Sequence, residues 1–244
     1  MVKAKKVKLA IFDIDGTIFR SSLLIEIVCE LVARGIFPRQ AEKIVEKDYL
    51  AWVDRKASYD HYIMKVVQVY ERYIAGCSQK KVQDIARTVI RFHKNRQYRF
   101  TRDLIEELRA KGYYLVAVSG SPHEIVEIFV KTMRFDAAFG TLYEVRDGIF
   151  TGKIQKDNTV RNKAQVINEF LPDFGLTADL KNSVAVGDTQ GDIPALKLVG
   201  NPIAFNPNLV LAQWAQKNHI PIVVERKNVI YKLRDFAIQV THEN

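Results

Sequence analysis

The chain alternates between short apolar runs and longer segments in which apolar residues recur at helical spacing. Such short runs cannot form a helix of ordinary length and are typical of buried strands. They predict strands at residues 9–12, 113–118, 182–188, 201–205 and 220–225. Strands that alternate with helices are joined by right-handed crossovers into a parallel sheet, so the pattern predicts an α/β fold.

Helices are predicted between these strands. Thr101 or a neighbour is expected to cap a helix that ends at Lys111-Gly112. Further helices are expected from about residue 123, at 160–171 and at 209–216. Residues 142–154 contain Arg146-Asp147-Gly148, a turn sequence between apolar runs, which predicts a β-hairpin.

Residues 22–95 differ because only helical patterns occur in them. Leu23, Ile27 and Leu31 share one helix face, and Ser21 or Ser22 is a suitable N-cap. Three more helices are expected at about 40–55, 59–75 and 78–90. Four short helices in succession predict a small bundle inserted after the first strand. The predicted domains are a discontinuous α/β core of residues 1–19 and 98–244 and a helical cap of residues 20–97.

The composition indicates a soluble protein of a reducing compartment, so a cytoplasmic location is expected. No apolar run approaches the ~18 residues of a membrane span. The first apolar run is interrupted by Asp13 and Asp15, which argues against a signal peptide. Two cysteines, Cys29 and Cys77, are too few for a disulfide framework or a cysteine-rich zinc site. Cys29 lies among apolar residues and is expected to be a small core residue.

Candidate chemistry begins where the first strand ends. Asp13 and Asp15 directly follow its apolar residues, and Gly16-Thr17 then break the run. Ligands of open α/β sheets bind beyond the carboxyl ends of the strands. Side chains two positions apart in extended chain face the same side, so the two carboxylates need a shared metal or proton. A simple Asp15-Gly16 turn is the structural alternative, but it leaves Asp13 unexplained.

Other predicted strands also end in polar residues. Ser119-Gly120 precede a helix N-terminus, which suits an anion, and Asp188 and Asp192 follow the strand at 182–188. Strand ends of one parallel sheet share an edge, so we expect these groups to meet. Carboxylate oxygens point to magnesium completed by a substrate phosphate. Lys163 is the best remaining candidate for a positive charge that binds the phosphate. The alternative is that Lys163 lies on the solvated face of its helix.

These motifs, in this order, resemble the haloacid dehalogenase superfamily of phosphohydrolases, within it the phosphoserine-phosphatase-like subfamily. The matching segments are DIDGT at 13–17, SGS at 119–121, RNKAQVI around Lys163 and GDTQGD at 187–192. In that subfamily a helical cap follows the first motif directly, as it is expected to do here. The resemblance covers essentially the whole chain. It implies a HAD-like Rossmannoid core, with a parallel sheet flanked by helices, and an inserted α-helical bundle cap.

The resemblance also implies a Mg²⁺-dependent phosphomonoester hydrolase that forms an aspartyl-phosphate. Asp13 would be the nucleophile, and Asp15 would protonate the leaving oxygen and then activate water. The implied metal ligands are carboxylate oxygens of Asp13 and Asp188 and the backbone carbonyl of Asp15, and Asp192 would bind the metal directly or hold its water ligands. The groups implied to hold the phosphoryl oxygens are Ser119, the Gly120 amide and Lys163.

Two departures from the phosphoserine phosphatases bear on the substrate. Ser22 stands where that subfamily has an acidic residue that binds the substrate amine, and Glu26 lies one helical turn further on. Val66 stands where the cap arginine that binds the substrate carboxylate is expected. We therefore expect a small phosphorylated metabolite other than phosphoserine. A lysophospholipid-type phosphate at a membrane surface, and a phosphotransferase or mutase with the same intermediate, remain the alternatives.

The formal net charge of +9 favours acidic partners, namely phosphorylated small molecules, nucleic acid or an anionic membrane surface. Six basic residues lie between 87 and 102 with aromatic residues among them, a composition that nucleic-acid surfaces share. The simpler interpretation, which we favour, is the solvated face of the last cap helix and the connection back to the core. No obligatory nucleic-acid partner is therefore expected.

Overall fold

The structure is a computed structural model of the chain and describes residues 4–156 and 162–233. Most of its strands belong to one sheet. In chain order the strands are β1 Lys5–Val7, β2 Leu9–Phe12, β3 Tyr114–Pro122, β4 Ala137–Arg146, β5 Ile149–Lys156, β6 Leu176–Ala178, β7 Val184–Gly187, β8 Asn201–Phe205, β9 Ile222–Arg226 and β10 Val229–Leu233.

The large sheet has the spatial order β10-β9-β8-β7-β2-β3-β4-β5. Its six central strands, from β9 to β4, pair in parallel, whereas the outer pairs β10–β9 and β4–β5 are antiparallel. The remaining strands β1 and β6 form a separate parallel pair. The predicted α/β class with a mainly parallel sheet is confirmed. The position of β2 between β7 and β3 brings three of the predicted motifs to adjacent strand ends.

The helices follow the predicted alternation. They are α1 Leu23–Ala33, α2 Arg39–Val53, α3 Tyr59–Ile74, α4 Gln79–His93, α5 Arg99–Ala110, α6 His123–Lys131, α7 Lys163–Asp173, α8 Ile193–Leu198 and α9 Leu209–Lys217, with 3₁₀ turns at Leu180–Asn182 and Gln190–Asp192. Helices α1 to α4 follow one another without an intervening strand in this described stretch, as predicted. No helix in the described ranges is both long and apolar enough to span a bilayer.

Side chains of β2 alternate between two hydrophobic clusters, one on each face of the sheet. Leu9 and Ile11 pack with α7, α8 and α9, whereas Ala10 and Phe12 face the cluster that contains α1 to α6. Helices α1, α3 and α4 thus share a continuous buried cluster with β2 and β3. The helical segment is therefore packed against the sheet rather than tethered at a distance.

Several local predictions were incomplete. Helix α5 begins at Arg99, two residues before Thr101, whose hydroxyl instead donates a hydrogen bond to the Thr17 carbonyl (2.9 Å). Strand β3 continues to Pro122, beyond the predicted end at residue 118, after a register shift against β4. The predicted start of the helix at 160–171 lies outside the described residues; the helix is described from Lys163.

The prediction that Cys29 is a core residue was wrong. Its side chain is exposed, whereas Ile27, Val28 and Leu31 of the same helix are buried. Successive residues of an α-helix are separated by a rotation of about 100°, so Cys29 lies beside the buried stripe instead of in it. The apolar neighbours misled the prediction because all three face the core and Cys29 does not.

Candidate active site

Asp13 lies at the end of the central strand β2. Its backbone amide donates to the Val186 carbonyl of β7 (3.0 Å), which fixes the end of β2 against the end of β7. Asp188 follows β7 directly, and Ser119 lies in β3 on the other side of β2. The order of the strands in the sheet therefore brings these strand ends together, as expected.

Three carboxylates converge at this edge. One oxygen from each of Asp13, Asp188 and Asp192 lies within 4.8 Å of the others, and we call this set the acid cluster. Asp192 reaches it from a 3₁₀ turn, where its Oδ2 accepts hydrogen bonds from the backbone amides of Asp188 (3.0 Å) and Thr189 (2.9 Å). The GDTQGD sequence therefore folds into a turn in which backbone amides hold the Asp192 carboxylate and the Asp188 carboxylate lies beside it.

Lys163 supplies the positive charge of the site. Its Nζ lies 2.5 Å from Asp13 Oδ1 and 2.6 Å from Asp192 Oδ1, and all three side chains are buried. Burial alone would lower the pKa of Lys163, but Asp13 and Asp192 outweigh it and raise that pKa above its ordinary value. Because Lys163 is buried between these two carboxylates, the alternative of a solvated helix lysine is excluded.

One lysine does not neutralise the acid cluster. Burial, together with the charges of Asp192 and Asp15, raises the pKa of Asp13 to about 7, although Lys163 opposes the rise. Burial, together with the charges of Asp13 and Asp192, raises the pKa of Asp188 well above its usual range. A further positive charge would favour the ionised forms of Asp13 and Asp188.

The side chain of Asp15 points to a different set of partners. Its Oδ2 accepts hydrogen bonds from the hydroxyls of Ser119 (2.6 Å) and Ser121 (2.8 Å), and its Oδ1 accepts one from the backbone amide of Leu23 (2.5 Å). Ser22 occupies the N-cap position of α1, as predicted, but its side chain makes no capping hydrogen bond, and Asp15 accepts from the first amide instead. This carboxylate joins β3 to the start of α1 and is not among the three of the acid cluster.

The turn after Asp15 is fitted closely to Asp188. Thr17 is buried, and its Oγ1 donates to Asp188 Oδ1 (3.3 Å). Gly16 has φ +83°, and a Cβ there would lie 2.1 Å from Asp188 Oδ2. The DIDGT sequence therefore needs glycine both for its backbone conformation and for room beside the carboxylate.

The structure brings the sequence-predicted residues to one edge, in two groups. Asp13, Asp188 and Asp192 lie together, with Lys163 in contact with Asp13 and Asp192, whereas Asp15 and Ser119 form a neighbouring group. Gly120 lies in β3 next to Ser119, and its carbonyl accepts from the Thr141 hydroxyl (2.7 Å). Sequence reasoning missed Thr17 and Ser121 as site residues. The signal was present, since both hydroxyls belong to the quoted motifs, but only their bonds to Asp188 and Asp15 reveal it.

Helix α3 begins above the site. Burial raises the pKa of the Tyr59 hydroxyl, and the charges of Asp15 and Asp188 raise it further, so these carboxylates and the phenol are electrostatically coupled. The adjacent Asp60 Oδ2 accepts from Gln190 Nε2 (3.3 Å), which lies in the turn between Asp188 and Asp192. The first residues of α3 therefore lie close to the core at the catalytic edge.

The donor set fits a hard divalent cation. Asp13 Oδ2 is buried and has no hydrogen-bond partner among the described residues, although its other oxygen contacts Lys163. A buried carboxylate oxygen without a partner is costly unless a cation or proton occupies its lone pairs. Several carboxylate oxygens without nitrogen or sulfur ligands are the set that Mg²⁺ prefers.

The comparisons with known proteins agree with this geometry. The sequence profile of the haloacid dehalogenase-like hydrolases matches residues 10–197. The match covers more than half of the chain and includes every residue of the site. The chain belongs to the haloacid dehalogenase-like hydrolase family, and the family predicted from its motifs is thereby confirmed.

Two relatives and one solved structure narrow the class. The chain is 29% identical over 228 residues to an inhibition of morphological differentiation protein of Streptomyces azureus, covering 92% of this chain and 81% of the relative. It is 26% identical over 226 residues to the phosphoserine phosphatase of Methanocaldococcus jannaschii, covering 92% and 95%. The structure of a phospho-aspartyl intermediate analogue of phosphoserine phosphatase superposes with a TM-score of 0.59 at 25% identity, covering 91% and 95%. The predicted phosphatase class and the phosphoserine-phosphatase-like resemblance are confirmed.

Proposed function

We propose that this phosphatase hydrolyses a phosphomonoester of a small metabolite through an aspartyl-phosphate on Asp13. The observation that carries the proposal is the state of the Asp13 carboxylate. Lys163 contacts Oδ1, whereas Oδ2 is buried without a hydrogen-bond partner in the described residues. Such a carboxylate keeps lone pairs that no donor occupies, and these are available both to a cation and for attack on phosphorus.

In the first step an Asp13 oxygen attacks phosphorus and the bond from phosphorus to the leaving oxygen breaks. The released alkoxide takes a proton from Asp15. The carboxyl of Asp15 is held beside β3 and the start of α1 by Ser119, Ser121 and the Leu23 amide, which fixes its position for the transfer. The products of this step are the free alcohol and the aspartyl-phosphate.

In the second step water attacks phosphorus of the aspartyl-phosphate. Asp15, now a carboxylate, takes the proton of that water, and the bond between phosphorus and the Asp13 oxygen breaks. Inorganic phosphate leaves, and Asp13 and Asp15 return to their starting states. One carboxyl group thus acts as acid and then as base, which is why it must lie near Asp13 without being part of the acid cluster.

We assign Mg²⁺ as the cofactor, held by Asp13, Asp188, Asp192 and the backbone carbonyl of Asp15. When bound, Mg²⁺ would neutralise the cluster and the phosphate charge, so that an anionic nucleophile can approach an anionic substrate. Lys163 would hold a phosphoryl oxygen, together with Ser119 and the Gly120 amide. Lys163 is in place for this, since its ammonium already contacts the nucleophile.

We further propose that residues 20–97 form a cap on a core of residues 1–19 and 98–244. The two connections between them lie side by side. The Arg20 amide donates to the Arg96 carbonyl (2.9 Å), and the Tyr98 amide donates to the Ile18 carbonyl (2.9 Å). Paired crossings of this kind limit the directions in which a cap can turn relative to the core.

The environment of Glu26 supports a substrate other than phosphoserine. Its Oε1 accepts from Arg96 Nη1 (2.7 Å) and Ser21 Oγ (3.0 Å), and its Oε2 lies 3.5 Å from His93 Nε2. Because the Glu26 carboxylate already has these three partners, it is less available to bind the amine of a substrate. Val66 is fully buried in the hydrophobic cluster and offers no positive charge for a substrate carboxylate.

The expected partner is a small phosphorylated molecule, and we propose a cytoplasmic enzyme.

In the basic stretch of residues 87–102, several charges are already paired. Arg87 bonds Asp84, Arg96 bonds Glu26 and Arg102 bonds Asp103. The aromatic rings of Tyr98 and Phe100 pack against Phe205 instead of standing free for bases. These contacts support the interpretation of a solvated helix face and a connection to the core.

Removal of the metal should abolish the activity. We expect 4-nitrophenyl phosphate to be hydrolysed with Mg²⁺ and not after treatment with EDTA, with recovery on adding Mg²⁺ back, because the acid cluster repels phosphate without a cation. Phosphate release is the measurement. Full activity in EDTA would contradict the assignment of the metal. Release of less phosphate than alcohol when glycerol is added would instead indicate a phosphotransferase.

A matched pair of glycine variants tests the fit around Asp188. Gly16→Ala and Gly148→Ala place a side chain at similar positive φ, +83° and +75°, but nothing lies within 4 Å of a Cβ at Gly148. Both should lower stability by about 1–2 kcal/mol, or Tm by roughly 2–8 °C. Only Gly16→Ala should displace Asp188 and lower kcat/KM, by about 10- to 100-fold. Equal activity in the two variants would show that the position of Asp188 does not matter.

A further inference from the structure

A large cavity lies in the helical segment, between α1, α2 and α3. Its volume is about 710 Å³, and we call it the cap cavity. Aliphatic side chains of α1 and α2 form one part of its wall: Ile25, Val28, Val32 and Val45. Cavities of this size hold ligands much larger than a serine side chain.

Aromatic rings form another part of the wall. Trp52 and Tyr62 are stacked at 5.7 Å between ring centroids and 4° between planes, and Tyr49 and Tyr59 pack edge-on against Trp52 at 5.9 and 5.2 Å. The rings fix one another in place, so the wall is formed before a ligand arrives. Tyr49 and Tyr59 nevertheless remain 43% and 36% exposed. Apolar surface is therefore left uncovered inside a concave site.

Tyr59 connects the cap cavity to the catalytic edge. It lines the cavity, and the adjacent Asp60 accepts a hydrogen bond from Gln190 (3.3 Å) in the turn that follows Asp188. Ser21 also lines the cavity, and its carbonyl accepts a hydrogen bond from the Gly16 amide (3.1 Å), next to Asp15. The cavity lining, as far as the described residues show, does not include the carboxylates of the acid cluster. The cap cavity therefore adjoins the segments that carry Asp15 and Asp188.

The lining also contains charged residues, and two of them pair with each other. Glu26 is paired with Arg96, and Arg20 lies over the ring of Tyr98 at 5.6 Å. Glu42 and Glu46 of α2 are exposed. The paired charges of Glu26 and Arg96 are less available to a zwitterionic amino acid than a free cation and a free anion would be.

We propose that the cap cavity binds the alcohol part of the substrate and that this part is a bulky apolar group. The inference rests on the proposed phosphatase function and adds the class of leaving group to it. Aromatic and aliphatic walls gain free energy by covering apolar surface, whereas a charged amine or carboxylate loses its water without gaining a partner. The substrate is thus selected by the fit of an apolar group.

The first test compares substrates with the wild-type enzyme and Mg²⁺. We expect kcat/KM for 2-phenylethyl phosphate to exceed that for O-phosphoserine by about 100-fold, since each apolar group fitted into a pocket contributes roughly 10-fold or more. Hexyl phosphate tests whether a chain serves as well as a ring, and a preference for it over O-phosphoserine also supports the proposal. A preference for O-phosphoserine over both would overturn it.

The second test fills the cavity from its wall. Cys29→Phe places a ring in the cap cavity from an exposed position, so no core contact is removed. The ratio of kcat/KM for 2-phenylethyl phosphate to that for ethyl phosphate should fall about 10-fold or more. Ala33→Phe is the control, because Ala33 is exposed on the same helix and does not line the cavity. An unchanged ratio in Cys29→Phe would contradict the assignment.

A third test needs no turnover and no change in the wall. In Asp13→Asn, alkylation of the Cys29 thiol by iodoacetamide can be followed by mass spectrometry. With Mg²⁺ present, 2-phenylethyl phosphate should slow this alkylation and O-phosphoserine should not. Absence of protection would overturn the proposal. If the wild type hydrolyses no phosphomonoester at all, the proposed function itself fails, whereas hydrolysis with a preference for O-phosphoserine would reject only the apolar leaving group.

Discussion

Replacing Asp13 by Asn should abolish turnover and leave the protein folded. An amide cannot form the aspartyl-phosphate, so phosphate release should fall by on the order of 10⁴- to 10⁶-fold, as in enzymes that lose a covalent nucleophile. Phosphate release with Mg²⁺ at saturating 4-nitrophenyl phosphate is the measurement. Trapping of phosphate on the wild-type chain, and not on the variant, would locate the intermediate.

The fold should tolerate this change because of the charges around Asp13. Lys163 keeps its contact with Asp192 at 2.6 Å, so no buried charge loses its only partner. Asp188 and Asp192 lose one repelling neighbour, and the Tm without metal should stay the same or rise. Asp103→Asn, at an exposed position paired with Arg102, is the control for a neutralised aspartate. Turnover retained in Asp13→Asn would mean that another group attacks phosphorus.

Replacing Asp15 by Asn should slow both chemical steps while leaving metal binding nearly intact. General acid–base assistance is typically worth ~10² to 10⁴-fold, and we expect losses of that size for an alkyl phosphate. The Asp15 carboxylate lies outside the acid cluster, and the variant keeps the backbone carbonyl assigned to Mg²⁺. Asn also preserves the local bonds, since its oxygen can accept from the Leu23 amide while its NH₂ donates to Ser119 and Ser121.

The two kinds of substrate separate the roles of Asp15. An aryl phosphate has a good leaving group and hardly needs the acid, so its first step should suffer less than that of an alkyl phosphate. Its second step still needs the base, and 4-nitrophenol should appear in a burst that phosphate does not match. Rapid mixing with both products followed is the measurement. Equal slowing of aryl and alkyl substrates, no burst, and much weaker Mg²⁺ binding by calorimetry would make Asp15 a metal ligand only.

The large sheet and most helices could be predicted from the sequence because their apolar periodicity is strong. The elements that were missed lack it. Strand β1 is three residues long with two lysines, and β10 is mostly exposed, so neither carries a buried pattern. The end of β3 consists of Ser119 to Pro122, and its pairing with β4 depends on a register shift. Such pairing is decided by the partner strand, which lies elsewhere in the sequence.

The candidate site could be predicted to a similar extent, for a related reason. Asp13, Asp188 and Ser119 follow buried strands, and the rule that parallel strand ends share an edge is enough to bring them together. The motif around Lys163 identified this lysine as a site residue, but only the structure shows that it contacts both Asp13 and Asp192. The cap cavity was not predictable, because it is formed by side chains of three helices whose packing angles the sequence pattern does not give.

The position of β2 in the sheet has a consequence for how the enzyme matures. This strand is made early in translation, yet its two neighbours are β3 and β7, and the Leu9 amide is bonded to the Ser183 hydroxyl 174 residues later. Contacts so distant in the chain form slowly and late. The proposed nucleophile therefore leaves the ribosome before Asp188 and Asp192, the proposed metal ligands, have been made. We expect a chain that stops before Asp192 to lack hydrolytic activity.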